Sequence, residues 1–141
     1  SLAQQNISLH QAVILASIIE RETQASDEKA RIASVFYNRL AAGMRLETDP
    51  TVQYALGYDS SRKTWWKSPL TLEDLGIDSP YNTYRYTGLP PGPISSPAFE
   101  TILAAAQPEQ TGYYFFRSRC DGSGTHVFSV TYEEHLNNAC P

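Results

Sequence analysis

Apolar residues recur at helical spacing between Gln11 and Ala25, QAVILASIIERETQA, and predict an amphipathic helix. Wound at about 100° per residue, Leu15, Ile18 and Ile19 fall on one stripe, flanked by Ala12 and Ile14. Glu22 falls near the middle of the same stripe. Glu20 is turned to the opposite side, with Ser17 and Gln24. An ionised acid is almost never fully buried without a partner. Two readings of Glu22 follow: an ion pair at the end of the core, with Arg45 as the available cation, or a carboxyl opening into a cleft where its proton is used.

The pattern continues in order. Ser26 reads as the cap of a second helix, with Asp27 and Glu28 suited to its positive end. Ala33, Phe36, Tyr37 and Leu40 form its buried face, and Gly43 stops it. The two helices form an antiparallel pair with Glu22 at its turn end. Met44 to Thr48 reads as a short extended run. Asp49-Pro50 reads as cap and first position of a short helix ending at Gly57. Ser68 to Leu75 has room for one helical turn. Pro and Gly then crowd Ser79 to Ile94 and exclude regular structure, leaving a stiff loop. Ser96-Pro97 starts a helix through Ala106, with Phe99, Ile102, Leu103 and Ala106 inward. Tyr113–Arg117 and Thr125–Val130 read as a hairpin around the Asp121–Gly124 turn, with His126, Phe128 and Val130 on one face. Tyr132–Asn138 closes the chain as a short helix. This order is that of an α+β domain: a helical core, a Pro/Gly-rich middle and a C-terminal β-hairpin.

Composition changes the picture in four places. At 141 residues the chain fits one domain, 1–141. It begins at Ser1 and so reads as a piece of a longer protein. A net charge of −4 with no basic run argues against a nucleic-acid partner. Three histidines without ligand spacing supply no zinc set. Cys120 and Cys140 lack CxxC or metal spacing, and either bridge in an oxidising compartment or stay unrelated thiols.

The motifs carry a resemblance. Ala16–Thr23 (ASIIERET), Ala33–Leu40 (ASVFYNRL), Met44–Tyr54 (MRLETDPTVQY), Tyr81–Tyr84 (YNTY), Gly88–Ile94 (GLPPGPI) and His126–Ser129 (HVFS) resemble, in order and over nearly the whole chain, the catalytic domain of the endolytic murein transglycosylase, YceG-like family. The resemblance implies a lysozyme-like helical core and cleavage of peptidoglycan glycan strands between N-acetylmuramic acid and N-acetylglucosamine, within the strand. It implies an N-terminal membrane anchor outside this stretch and a place on the extracytoplasmic face of the bacterial cytoplasmic membrane. Penicillin-binding protein synthases are partners it suggests. The family's catalytic glutamate falls on Glu22, the residue the helix pattern selects on its own. Ser96, the Lys63–Lys67 stretch with two Trp and the long Arg117–Gly124 loop depart from the family pattern. The family has also carried an aminodeoxychorismate lyase label, yet none of Lys29, Lys63 and Lys67 sits in a phosphate-binding setting, so no cofactor is expected.

Other site residues are less constrained. Asn82 and Tyr84 are candidates for binding N-acetyl groups or steadying charge at the anomeric carbon, or are turn residues bonded to their own loop. Tyr54 lines the cleft or packs in the core. His126 bonds in the site or is structural. Glu47 and Asp49 are the acids that could complete a two-carboxylate hydrolase, with Asp49 better explained as a helix cap. Three readings stand: a lytic transglycosylase, a lysozyme-type hydrolase using Glu22 with Glu47 or Asp49, and a peptidoglycan-binding module without catalysis.

Overall fold

The computed structural model describes residues 6–141. Helix α1 (Leu9–Glu22) starts at Ser8, whose hydroxyl accepts from the Gln11 amide while the Gln11 side chain accepts from the Ser8 amide. It ends three residues before the sequence pattern predicts, because Thr23 turns extended. Glu22 is therefore the last helical residue, at the lip of the core. A 3₁₀ turn (Ser26–Glu28) leads into α2 (Lys29–Ala41). Ser26 does not cap α2; its hydroxyl donates to Glu100 instead. Leu15, Ile18 and Ile19 of α1 pack with Ile32, Ala33, Phe36 and Tyr37 of α2, and Leu46 and Ile94 close the cluster.

Helix α5 (Phe99–Ala106) crosses both α1 and α2, but not through the face its apolar residues suggest. Thr101 and Ala105 are buried, Ile102 is half-buried, and Phe99 is 73 % exposed. A polar contact selects this face. Lys29 is buried, and its Nζ donates to Thr101 Oγ1 at 2.8 Å and to Glu100 at 3.0 Å. Glu20 accepts from the Ala98 amide at 2.7 Å and the Thr101 hydroxyl at 2.8 Å. A buried ammonium requires such partners, so the small polar face of α5 turns inward. The side of α1 carrying Ser17 and Glu20 is thus the seat of α5 and the proline loop, not a solvent face. Ser17 Oγ accepts from the Ile94 amide at 3.0 Å.

The irregular middle is tied down by backbone and hydroxyl bonds. Helix α3 (Asp49–Leu56) has Thr48 at the cap position and Pro50 in its first turn, so Asp49 is not the cap. The hydroxyls of Thr48, Thr51 and Thr83 form one buried cluster, and the Glu47 amide donates to Thr83 O at 3.1 Å. No strand forms over 44–48; Glu47 instead takes a left-handed φ of 53°. A single helical turn, α4 (Leu72–Leu75), follows. Asn82 is fully buried: its amide donates to Leu75 O and Ile77 O, and its oxygen accepts from the Tyr84 amide. Replacing Asn82 by Ala removes all three bonds and leaves Leu75 O and the Tyr84 amide without a partner, while Ile77 O keeps the Ser79 amide. The expected cost is about 1–2 kcal/mol, measurable as a lower urea midpoint with an unchanged m-value.

The C-terminal hairpin pairs β1 (Phe115–Ser118) with β2 (His126–Ser129) in antiparallel register, Phe115 opposite Ser129 and Ser118 opposite His126. Both strands are shorter than the sequence suggests, and Val130 is half exposed beyond the last pair. Helix α6 (Tyr132–Asn137) folds back on the hairpin from a Thr131–Glu134 capping box. Cys120 and Cys140 are joined in a disulfide that ties the end of the chain to the hairpin turn.

Candidate active site

A cavity of about 690 Å³ runs from the end of α1 to the hairpin and α6. Glu22, Glu47, Asp49 and Tyr84 lie on its wall, with Arg39, Arg117, His126 and His135. The geometry follows from the ties just described. The end of α1 delivers Glu22. The Thr48–Thr51–Thr83 cluster brings the start of α3, with Asp49, against the loop that carries Tyr84. The Tyr84 hydroxyl donates to Asp49 Oδ1 at 2.7 Å.

Glu22 has no ion-pair or hydrogen-bond partner among the described residues. The cation considered for it, Arg45, lies 3.7 Å from Glu47 instead. The side chain is half-buried, and neither carboxyl oxygen is sealed from solvent. Its pKa is pushed up to about 8, first by burial and second by the negative charge of Asp49. The carboxyl therefore holds its proton near neutrality while facing an open cavity. The Tyr84 phenol is pushed up as well, first by burial and then by its bond to Asp49, and stays a hydroxyl donor.

The sequence candidates divide. Glu47 and Tyr84 share the cavity with Glu22. His126 is there too, buried and held from behind: its Nδ1 lies 2.9 Å from Glu28 Oε1, and its amide donates to Glu28 Oε2 at 3.0 Å. Asn82 is excluded as a substrate contact by its burial; it supports the turn that places Tyr84. Tyr54 is neither core nor cavity wall, but packs, 42 % exposed, against Tyr81 with tilted rings whose centroids are 4.9 Å apart. The stiff segment 89–94 packs on α1 and the core rather than lining the cavity, so only Tyr84 of the Pro/Gly-rich middle reaches it.

Sequence reasoning set Asp49 aside as a cap, and it missed Arg39, Arg117 and His135 as cavity residues. The Asp49-Pro50 pair points to a helix start, and only the Tyr84 contact reveals its other use. Arg39 has a helical signal in hindsight, one turn after the core residue Phe36. Arg117 and His135 meet through tertiary folding alone. Among the described residues no group of His, Cys, Asp and Glu side chains is arranged to hold a metal ion.

A carboxyl that keeps its proton near neutrality, set in an open cavity beside a second carboxylate, is the arrangement of an acid–base enzyme. The chain belongs to the YceG-like family, whose model matches residues 1–140. It is 43% identical over 129 residues to the endolytic murein transglycosylase of Bacillus subtilis strain 168, covering 92% of this chain and 33% of that protein. It is 31% identical over 139 residues to the endolytic murein transglycosylase of Streptococcus pneumoniae D39, covering 98% of this chain and 24% of that protein. The chain thus spans a quarter to a third of the length of these relatives. A crystal structure of a YceG-like protein from Listeria monocytogenes superposes with a TM-score of 0.84 at 47% identity, covering 96% of this chain and 42% of that one.

Proposed function

We propose that this domain is an endolytic peptidoglycan lytic transglycosylase with Glu22 as its acid and base. The observation that carries the reading is Glu22 itself, unpaired, facing the cavity and protonated near neutrality. The Glu22 carboxyl donates its proton to the glycosidic oxygen as the bond from N-acetylmuramic acid to N-acetylglucosamine breaks. The resulting carboxylate removes the proton of the muramic C6 hydroxyl, whose oxygen closes on C1 to give a 1,6-anhydro ring. No water is consumed, so no second carboxylate is needed to activate one, unlike in most glycosidases. Tyr84, whose one hydroxyl proton goes to Asp49, offers the sugar an acceptor oxygen, and Glu47 and His126 line its path.

A second reading has a specific observation in its favour. Asp49 and Glu47 both share the cavity with Glu22, as a two-carboxylate hydrolase requires. Product chemistry separates the two. Purified sacculi digested with the domain and reduced with borohydride are expected to yield fragments ending in 1,6-anhydro-N-acetylmuramic acid. These ends take up no hydride and are one water lighter than hydrolysed ends. Long, mixed fragments are expected early, since cleavage falls within strands. Fragments that all take up hydride would establish the hydrolase, and glycan binding without any cleavage would leave only a binding module.

The same reading places the domain on the extracytoplasmic face of the bacterial cytoplasmic membrane, held by an anchor elsewhere in a longer protein and working beside penicillin-binding protein synthases. The Cys120–Cys140 disulfide supports that placement, because such bridges persist in oxidising compartments.

A further inference from the structure

The cavity wall carries cations as well as acids. Its acids, Glu22, Glu47 and Asp49, come from the end of α1 and the start of α3, and the hairpin and α6 add Phe116, Arg117, Tyr132 and His135 to the wall. There Arg117 Nη2 lies 3.1 Å from His135 Nε2, and the imidazole stacks on Phe115 with centroids 5.1 Å apart. The Arg39 guanidinium lies 4.9 Å from the same Phe115 ring. Neither arginine forms a salt bridge among the described residues; Arg39 is spent on the carbonyls of Tyr114, Arg45 and Leu46.

Hydrogen bonding here is incomplete. A guanidinium only donates, so His135 Nε2 must accept and the ring proton sits on Nδ1. The ring is held neutral by burial and by the charges of Arg117 and Arg39, which agrees with that tautomer. Arg117 Nε and His135 Nδ1 are then both N–H donors, both shielded from water and both without an acceptor. Buried donors are rarely left so without a reason. The Cys120–Cys140 bridge secures the arrangement, tying the end of the chain just beyond α6 to the turn just beyond β1, and Cys140 itself lines the cavity.

We propose that the Arg117–His135 part of the cavity wall is a subsite for a carboxylate on the peptide borne by the muramic sugar. The proposal rests on the peptidoglycan reading above. The planar guanidinium fork matches a carboxylate, and the muramic lactyl group carries a peptide whose free carboxylates lie further along the stem, well away from the scissile link. Glu22 would then act on a strand whose register is set partly by its stem, through a contact far from the reacting bond.

Binding tests this without catalysis. The probes are a GlcNAc–MurNAc-tetrapeptide and the same molecule with its peptide carboxyls methyl-esterified, titrated by calorimetry into the chain. The free acid is expected to bind about tenfold tighter, the scale of one charge-assisted contact. Arg117→Gln should bring both probes to the affinity of the ester. His135→Gln, which perturbs the same cluster from the other element, should narrow the gap. In the unmutated chain, the free acid should shift the ¹⁵N signals of the His135 ring and the ester should not. Equal affinity for the two probes, a gap that survives Arg117→Gln, or an unmoved His135 ring overturns the subsite. A chain that distinguishes the probes in this way yet never cleaves sacculi would instead refute the activity and leave the subsite standing.

Discussion

Glu22→Gln is expected to fold normally and to lose activity on sacculi by a factor on the order of 10²–10⁴ or more, the scale for removing a general acid. The amide keeps the shape of the side chain and makes no new demand on the cavity, but it has no proton of suitable acidity to give. The variant also has a stability signature. With its pKa at about 8 against an ordinary 4.5, native Glu22 holds a proton across that window that the unfolded chain has released. The native state binds more protons there, so stability falls as pH rises from about 4.5 to about 8. Because the carboxyl keeps some contact with solvent, the fall is on the order of 2 kcal/mol, less than the whole shift implies. Glu22→Gln should abolish this slope, leaving the variant the more stable protein at pH 8. Urea unfolding of both proteins at pH 5 and pH 8 measures it. Unchanged activity in the variant would end the assignment of Glu22. By contrast Glu20→Gln should act on stability, since Glu20 is occupied by the Ala98 amide and Thr101.

Asp49→Asn is the second large effect. The substitution is nearly isosteric and leaves an oxygen to accept from Tyr84, so the site should stay assembled. It removes the negative charge that helps hold the proton on Glu22. The folded pKa of Glu22 should fall by about one unit, remaining above 4.5 because burial is the larger cause. The alkaline limb of the rate profile should move to lower pH by the same amount, giving about a fivefold loss at pH 8 and little change at pH 6. If Asp49 instead activates water, the loss should be near 10³ at every pH. A pH profile of kcat for both proteins separates these outcomes, and a variant with an unmoved limb would show that Asp49 does not tune Glu22.

How much was legible depended on whether a feature lives in local spacing. The stripe of Leu15, Ile18 and Ile19 and the position of Glu22 on it were readable because helical periodicity is a local property. The α1–α2 pair, the Gly43 stop and the hairpin with its turn were readable on the same grounds. Helix α5 was placed but wrongly faced. Its apolar residues argue for burying Phe99 and Leu103, while the buried Lys29 needs Thr101 and Glu100, and an unpartnered ammonium costs more than two exposed apolar side chains. Asn82 was a binding candidate because its type suits sugar amides. Its three hydrogen bonds to its own neighbourhood show a turn residue.

The sequence by itself determined the α+β class, the two-helix core and the acid at its edge, and its motifs pointed to the family the chain belongs to. The tertiary structure decided what surrounds that acid. Asp49 joined Tyr84 because buried threonine hydroxyls, distant in sequence, had to satisfy one another. Arg117 met His135 because a disulfide and a capping box fold the last helix onto the hairpin. The state of Glu22 was set the same way: a carboxyl's proton is governed by the solvent and charge around it, and those come from elements that no local spacing brings together.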